Sequence, residues 1–540
     1  MRYSRPLSFC ILIILMAGCS GYPAGSSRAV DSITVDELRL HLAFLASDEF
    51  AGRDTPSPEL KIASRYLANM VESYGLQSLM PDGSWYQPIA LDVIDVDPVA
   101  TRLIVRAGSR RFDFGPGTDF GIPSRITEDS AVTGTLFFAG LGVSAPQLEW
   151  DDIGTTDLTG KIVVILDPVI PDGHPLATPE GSRAIRNRTN TLLRAGATAV
   201  LVVIGEERER EFEEQGLRFA SSRYVYPAED LKSPYSARRQ YRFSRAELRH
   251  ATAASVLGIS DIDLDALFAQ VGEGRQVPSR TIQGRSVEIA IRVSRRVEES
   301  YNVVAMVEGS DSRLKDEYIV LSSHHDHLGM RNGLVLNGAD DDGSGTVAML
   351  EIAQALMLKR PKRSTILVWH TGEERGLVGS QYFVQNCPVP VEKISAELNM
   401  DMLCRNATDS LYVIGSNKLS SELDEAINRV NDRTVDFALD YRYEDPAHPD
   451  RFFFRSDHYP FIQYGIPGVW YFCGTTSDYH QPTDTVDRVD FDKMLRATRL
   501  VYLTALEIGN MPRMLALDLH PGITSRGEQN LSINWRETNR

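Results

Sequence analysis

Apolar positions along this chain change period several times, and each change marks an element. Leu38, Leu42 and Leu45 recur at helical spacing. Thr34 and Glu37 stand ahead of them as a capping-box pair, so a helix is predicted to open at Thr34. A second helix is predicted over residues 58–74. There Ile62, Tyr66, Leu67, Met70 and Val71 follow the same period, and Gly75 closes the run. From about 100 to 290 the texture changes to short β-like runs between Gly and Pro. Residues 161–166 and 199–204 read as buried strands, with a polar, helix-like stretch over 183–194 between them. Residues 205–250 are charged and carry no readable motif. Beyond 300, strands are predicted over 302–307, 318–322, 365–369 and 394–399. They alternate with helices over 344–358, 377–385 and 491–508. Such alternation predicts an α/β fold with a mixed, largely parallel central sheet flanked by helices. The tail from Pro512 reads as polar and irregular.

Length and charge narrow this picture. A chain of 540 residues exceeds what one core supports, roughly 250–300 residues, so two folded units are expected. The net charge of −16 argues against nucleic acid and anionic membrane surfaces as partners. The first residues have their own logic. Arg2 and Arg5 precede an apolar run over 7–16, too short for the roughly 20 residues that span a bilayer. This is a signal-peptide pattern. Met16-Ala17-Gly18-Cys19 resembles the bacterial lipobox, whose cysteine is lipidated and becomes the mature N-terminus. The resemblance implies an exported protein of the cell envelope, anchored to a membrane through Cys19. Its place would be the periplasmic side of the outer membrane or the cell surface. Residues 20–31, rich in Gly, Ser, Pro and Ala, suit a tether. Cys387, Cys404 and Cys473 remain in the body, so at most one disulfide can form among them.

Five segments concentrate chemistry at predicted strand ends, where ligands of α/β sheets sit. The first is Ser322-Ser323-His324-His325-Asp326-His327. His324 and Asp326 lie two apart, so on an extended chain they point the same way. Imidazoles that bind metal commonly carry a carboxylate on their second nitrogen. The second runs from Asn337 to Gly345 and contains Asp340, Asp341 and Asp342, three adjacent carboxylates that call for cations. It lacks the D-x-D-x-D-G spacing of an EF-hand. The third holds Glu373 and Glu374, which in a turn point differently, so that one can bind metal while the other faces substrate. Asp401, among apolar residues, is costly to bury unpartnered. The last segment holds Asp478, Tyr479 and His480.

In this order, His-x-Asp, Asp-Asp before Gly-Ser-Gly, Gly-Glu-Glu, Asn-x-Asp-Met and Tyr-His resemble the zinc aminopeptidases of family M28. Residues 40–53, ending Glu49-Phe50-Ala51-Gly52-Arg53, also resemble the N-terminal part of members with a protease-associated insert. The strand–helix–strand unit over 161–204 resembles that insert. The resemblance implies a leader over 1–19, a tether over 20–31, a catalytic domain over 32–115 and 285–511, an insert over 116–284 and a tail over 512–540. It implies two zinc ions per chain. Asp341 would bridge them, with His324 and Asp401 completing one and Glu374 and His480 the other. Glu373 would be the general base and Tyr479 would steady the oxyanion; Asp326, near His324, is counted with them as a catalytic residue, its contact left open by the sequence. Ser456-Asp457-His458 resembles a family motif near the site. The implied activity is release of N-terminal residues from peptides with free N-termini by a two-zinc-activated water.

Other activities use the same scaffold. A carboxypeptidase or dipeptidase needs a cation for the substrate carboxylate, and Arg405 and Arg455 are candidates. Glutaminyl cyclases lack one full metal site and receptor-like relatives have lost ligands, whereas here all five positions are filled. Phe452 to Phe454 and Trp470 to Phe472 suit either an apolar pocket or core packing.

Overall fold

The computed structural model describes residues 25–122, 126–215, 224–228, 243–331, 333–531 and 535. The leader and the lipobox, with Cys19, lie outside the described residues. The helix Val35–Leu45 begins where Thr34 accepts the Glu37 N–H, and it buries Leu38, Leu42 and Leu45. The helix Pro58–Tyr74 is capped by Ser57 and ends at Gly75, whose φ of 85° is left-handed. It buries Leu60, Ala63, Leu67, Ala68 and Val71, whereas Ile62 is 56% exposed. An apolar period tolerates a small rotation of the helix, and packing against the body of the protein sets the phase.

Among the described residues, a ten-stranded sheet organises the fold. Its four central strands, Ser364–His370, Tyr318–His324, Ile394–Met400 and Gly468–Phe472, run parallel. On one side Val293–Val307 and Tyr86–Val96 add antiparallel. On the other, Ser410–Ile414 pairs antiparallel with Gly468–Phe472. The sheet is mixed, but parallel mainly in its centre. Helices Gly345–Leu358, Phe491–Gly509 and Pro58–Tyr74 share one apolar cluster with residues of the central strands. Val378–Gln385 and His458–Gln463 bring Phe383, Val384, Phe461 and Ile462 to other apolar clusters.

A second, eight-stranded sheet has its own core. In it Lys161–Asp167 and Ala199–Ile204 pair in parallel, with the helix Pro179–Arg194 between them in sequence. Arg102–Ala107, Arg110–Phe114 and all of Arg280–Ile291 also pair here. The chain therefore changes sheets between Val96 and Arg102 and again at Arg292. These crossings coincide with the change of texture read from the sequence at about 100 and 290. One short strand goes the other way. Tyr224–Pro227, from the stretch without a readable motif, pairs with Tyr86–Val96 in the main sheet.

The tail is irregular, yet it buries Leu515, Ile523 and Trp535. Cys387, Cys404 and Cys473 are free thiols. Among the described residues, no helix is long and apolar enough to cross a membrane.

Candidate metal centre

The parallel strands deliver the chemistry at their C-terminal ends. Tyr318–His324 ends on His324, which is buried. Its Nδ1 lies 3.1 Å from the main-chain carbonyl of Asp326 and 3.7 Å from that residue's carboxylate. With Nδ1–H donating to the carbonyl, the Nε2 lone pair faces inward. It stands 3.4 Å from Asp341 Oδ1 and 3.6 Å from Asp401 Oδ1. The Asp326 carboxylate accepts the Glu373 N–H at 3.2 Å, tying the His324 segment to the glutamate turn.

The three aspartates before Gly345–Leu358 have separate fates. Asp340 accepts the Cys404 N–H and the thiols of Cys404 and Cys473, at 3.0, 3.0 and 3.2 Å. Asp342 accepts the N–H groups of Gly345, Met402 and His324. Protein donors thus satisfy two of the carboxylates, and cations are not required for them. The backbone N–H groups of Asp340 and Asp341 donate to Asp484, which Arg405 holds at 2.7 Å. Asp341 alone turns to the centre. Burial would raise its pKa, but the imidazoles of His327, His324 and His480 hold it well below the usual carboxylate range. Gly345 makes this turn fit, because a Cβ there would stand 2.2 Å from the Met400 carbonyl.

The glutamate turn follows Ser364–His370 and separates two adjacent side chains. Glu374 approaches His480 Nε2 at 3.5 Å, and that nitrogen lies 3.1 Å from Asp341 Oδ2. Glu373 lines the cleft beside Asp341 and Asp401. Burial raises its carboxyl well above the usual range; His324 opposes this, and Glu374 and Asp401 reinforce it. Asp401 follows Ile394–Met400 and directs its second oxygen to Ser456 Oγ at 2.5 Å. Tyr479 stacks on His480 with centroids 3.7 Å apart and bonds Arg455 Nη2 through its hydroxyl at 2.9 Å.

Two donor groups share Asp341, one with His324 and Asp401, the other with Glu374 and His327. His480 lies beside this second group, with its Nε2 3.1 Å from Asp341 Oδ2 and 3.5 Å from Glu374 Oε2. His327 Nδ1 lies 2.9 Å from Glu374 Oε1 and 3.9 Å from Asp341 Oδ2. Sequence reasoning left His327 unassigned, although it ends the His324-His325-Asp326-His327 run. Its neighbour His325 is not a donor to the centre: its ring bonds Ser64 Oγ and the His370 carbonyl, and burial lowers its pKa to about 4.

A sequence model of peptidase family M28 matches residues 302–505, the stretch that contains all of these donors. Leucine aminopeptidase 2 of Arthroderma otae is 25% identical over 291 residues, 48% of this chain and 52% of that protein. A probable leucine aminopeptidase 2 of Aspergillus oryzae is 29% identical over 227 residues, 41% of this chain and 44% of that one. The chain spans about half the length of the curated relatives it matches. A zinc aminopeptidase from Bacillus subtilis has the same fold, with a TM-score of 0.53 at 17% identity over 91% of this chain and 99% of that one. An aminopeptidase from Aneurinibacillus sp. strain AM-1 gives 0.52 at 17% identity, covering 91% and 98%.

Beside these donors lies a small, partly open cleft. Met402, Phe452, Trp470 and Phe472 form its apolar wall, and Arg455 and Tyr479 also line it. The same aromatic residues belong to an apolar core cluster, so they serve both purposes weighed from the sequence.

Proposed function

We propose that the chain is an exported metallo-aminopeptidase that uses two zinc ions to release N-terminal residues from peptides. The observation that carries this reading is the spacing of donors about Asp341. Two donors on one tetrahedral zinc, each at roughly 2.0–2.2 Å, stand about 3.3–3.6 Å apart. The His324–Asp341, His324–Asp401 and His480–Glu374 approaches are 3.4, 3.6 and 3.5 Å. Asp341 Oδ2 and Glu374 Oε1 are buried and face histidine nitrogens at 3.1 and 2.9 Å, a set of donors that suits a shared cation. His324, Asp401 and Asp341 Oδ1 would hold one ion; Asp341 Oδ2, Glu374 and His480 would hold the other.

Zinc bound there would polarise the scissile carbonyl and promote deprotonation of water. Glu373, which belongs to neither donor group, takes the proton of the attacking water and returns it to the leaving amine. Tyr479 stands ready to donate toward the carbonyl oxygen, and Asp326 keeps His324 oriented. The apolar wall would receive the side chain of the first residue. In this reading the lipid at Cys19 holds the enzyme at the cell envelope, and the second sheet is a protease-associated insert.

His327 would steady Glu374 or join it as a ligand. His327→Phe is expected to weaken one of the two zincs about 10–100-fold, the usual cost of losing an outer partner. Competition against a chelating dye reads this directly, and unchanged binding at both sites would remove His327 from the centre.

The activity test is hydrolysis of amino-acid p-nitroanilides by the full chain before and after chelation, with zinc add-back. Activity lost on chelation and restored by zinc, only for free N-termini, is the expected result. A second reading has one observation in its favour: Arg455 lines the cleft, bonded to a neutral phenol and lying over the Phe452 ring at 4.9 Å. Such a cation could receive a substrate carboxylate. Cleavage of N-blocked peptides with free C-termini, lost in Arg455→Gln, would favour the carboxypeptidase reading.

A further inference from the structure

Behind Asp401 runs a buried chain of side chains with no water-accessible member. Glu397 and Asn399 are on the strand Ile394–Met400, Ser322 is on Tyr318–His324, and all three are fully buried with Ser456. Ser322 Oγ contacts Glu397 Oε1 and lies 3.1 Å from Asn399 Oδ1. Asn399 Nδ2 donates to Ser456 Oγ at 2.6 Å. Ser456 Oγ donates to Asp401 Oδ2 at 2.5 Å.

Counting protons gives this chain a direction. A serine hydroxyl has one proton, and a carboxamide donates only from nitrogen. If Asp401 is ionised, Ser456 must spend its proton on it. Ser456 then accepts from Asn399 Nδ2, which leaves Asn399 Oδ1 as an acceptor for the Ser322 proton. Ser322 has nothing left to donate to Glu397, so Glu397 must donate to Ser322. Turning the Asn399 amide reverses every bond: Glu397 can then be ionised, but Asp401 must carry a proton to meet Ser456. Either way the chain contains one carboxyl proton, at one end or the other. A zinc ligand needs its carboxylate ionised.

We infer that Glu397 is a neutral carboxylic acid and a positioning residue, which fixes metal ligand Asp401 through the relay Ser322, Asn399 and Ser456. The relay occupies Asp401 Oδ2 and leaves Oδ1 to face His324 Nε2. The surroundings agree. Burial pushes the Glu397 carboxyl well above its usual range and the nearby charge of Asp457 adds to this, against the smaller opposing pull of the Ser322 hydroxyl and the Val469 N–H. Its Oε2 has no hydrogen-bond partner among the described residues, as suits the carbonyl oxygen of an uncharged acid. The inference rests on Asp401 being a zinc ligand.

The experiment is infrared difference spectroscopy on the zinc-loaded full chain, wild type against Glu397→Gln, in H2O and D2O. A protonated-carboxyl C=O band present at neutral pH, shifted in D2O and missing from the variant, is expected. Zinc affinity supplies the second readout. Glu397→Gln keeps a donor facing Ser322 and should bind zinc like wild type. Glu397→Leu and Ser456→Ala break the relay and should each weaken zinc about 10–100-fold. Absence of the band, or Gln as damaging as Leu, overturns the relay. Asp401→Asn tests the reading beneath it: undiminished zinc affinity there overturns the ligand assignment, whatever the infrared band shows.

Discussion

Glu373→Gln is expected to lower kcat roughly 10²–10⁴-fold, the range for losing a positioned general base. That is about 2.7–5.4 kcal/mol of barrier. Gln has the same shape, and the main-chain bonds of the turn, Glu373 N–H to Asp326 and Gly376 N–H to the Glu373 carbonyl, survive the change. What is lost is the ability to accept a proton. Zinc content and KM should therefore stay near wild type, and metal analysis beside steady-state kinetics on a leucyl p-nitroanilide measures both. The neighbouring Glu374→Gln should behave differently, because that side chain approaches Asp341 and His480 and its loss should empty a metal site. Full activity with full zinc in Glu373→Gln would sink the proposed mechanism.

Arg53→Met is expected to cost stability and metal together. The Arg53 side chain is 2% exposed. Its guanidinium donates to the carbonyls of Leu45, Asn337, Gly338 and His325, at 2.7, 2.8, 2.9 and 3.1 Å. One side chain thus clamps the end of Val35–Leu45, the segment after His324 and the loop leading into Asp341. Burial lowers its pKa, and the charges of Asp326, Asp484, Asp342 and Asp341 offset this in part. Methionine fills the space but leaves four carbonyls unpaired and those carboxylates uncompensated. Removing one partner from such a buried set typically costs about 3–5 kcal/mol. Arg53→Lys should not rescue it, since a single ammonium cannot fan to four acceptors. A fall in the urea midpoint with weaker zinc binding is the expected result. An unchanged midpoint with normal zinc content would show that the clamp is dispensable. Gly52, with φ of 73°, shares the constraint: a Cβ there would stand 2.3 Å from the Gly329 carbonyl.

Much of this was legible in the residues. The predicted strand over 365–369 lies within Ser364–His370, and the predicted helix over 491–508 within Phe491–Gly509. Both carry a strong local period and clear ends. His324, Asp341, Glu374, Asp401 and His480 converge because each stands at a strand end or in a turn before a helix, and such positions can be read from apolar runs and glycines. Where signals were weak, the reading drifted. The texture change at about 100 and 290 marked where the chain crosses between sheets, but not which sheet each strand run joins, because strand runs look alike in either sheet. The strand Tyr224–Pro227 was missed because four residues in a charged stretch carry no period.

By itself, then, the sequence determined the α/β class, the order of the elements and the residue types available for a metal centre, because local periodicity and strand-end position depend on near neighbours. Tertiary structure decided which of three adjacent aspartates faces the centre, since the thiols of Cys404 and Cys473 and the N–H groups of Gly345, Met402 and His324 arrive from elsewhere in the chain. It decided that His327 joins Glu374 while His325 turns away to Ser64. It also set Arg53 beneath loops that start more than 270 residues later. Such choices depend on which donors meet across the fold, and spacing along the chain does not encode those distances.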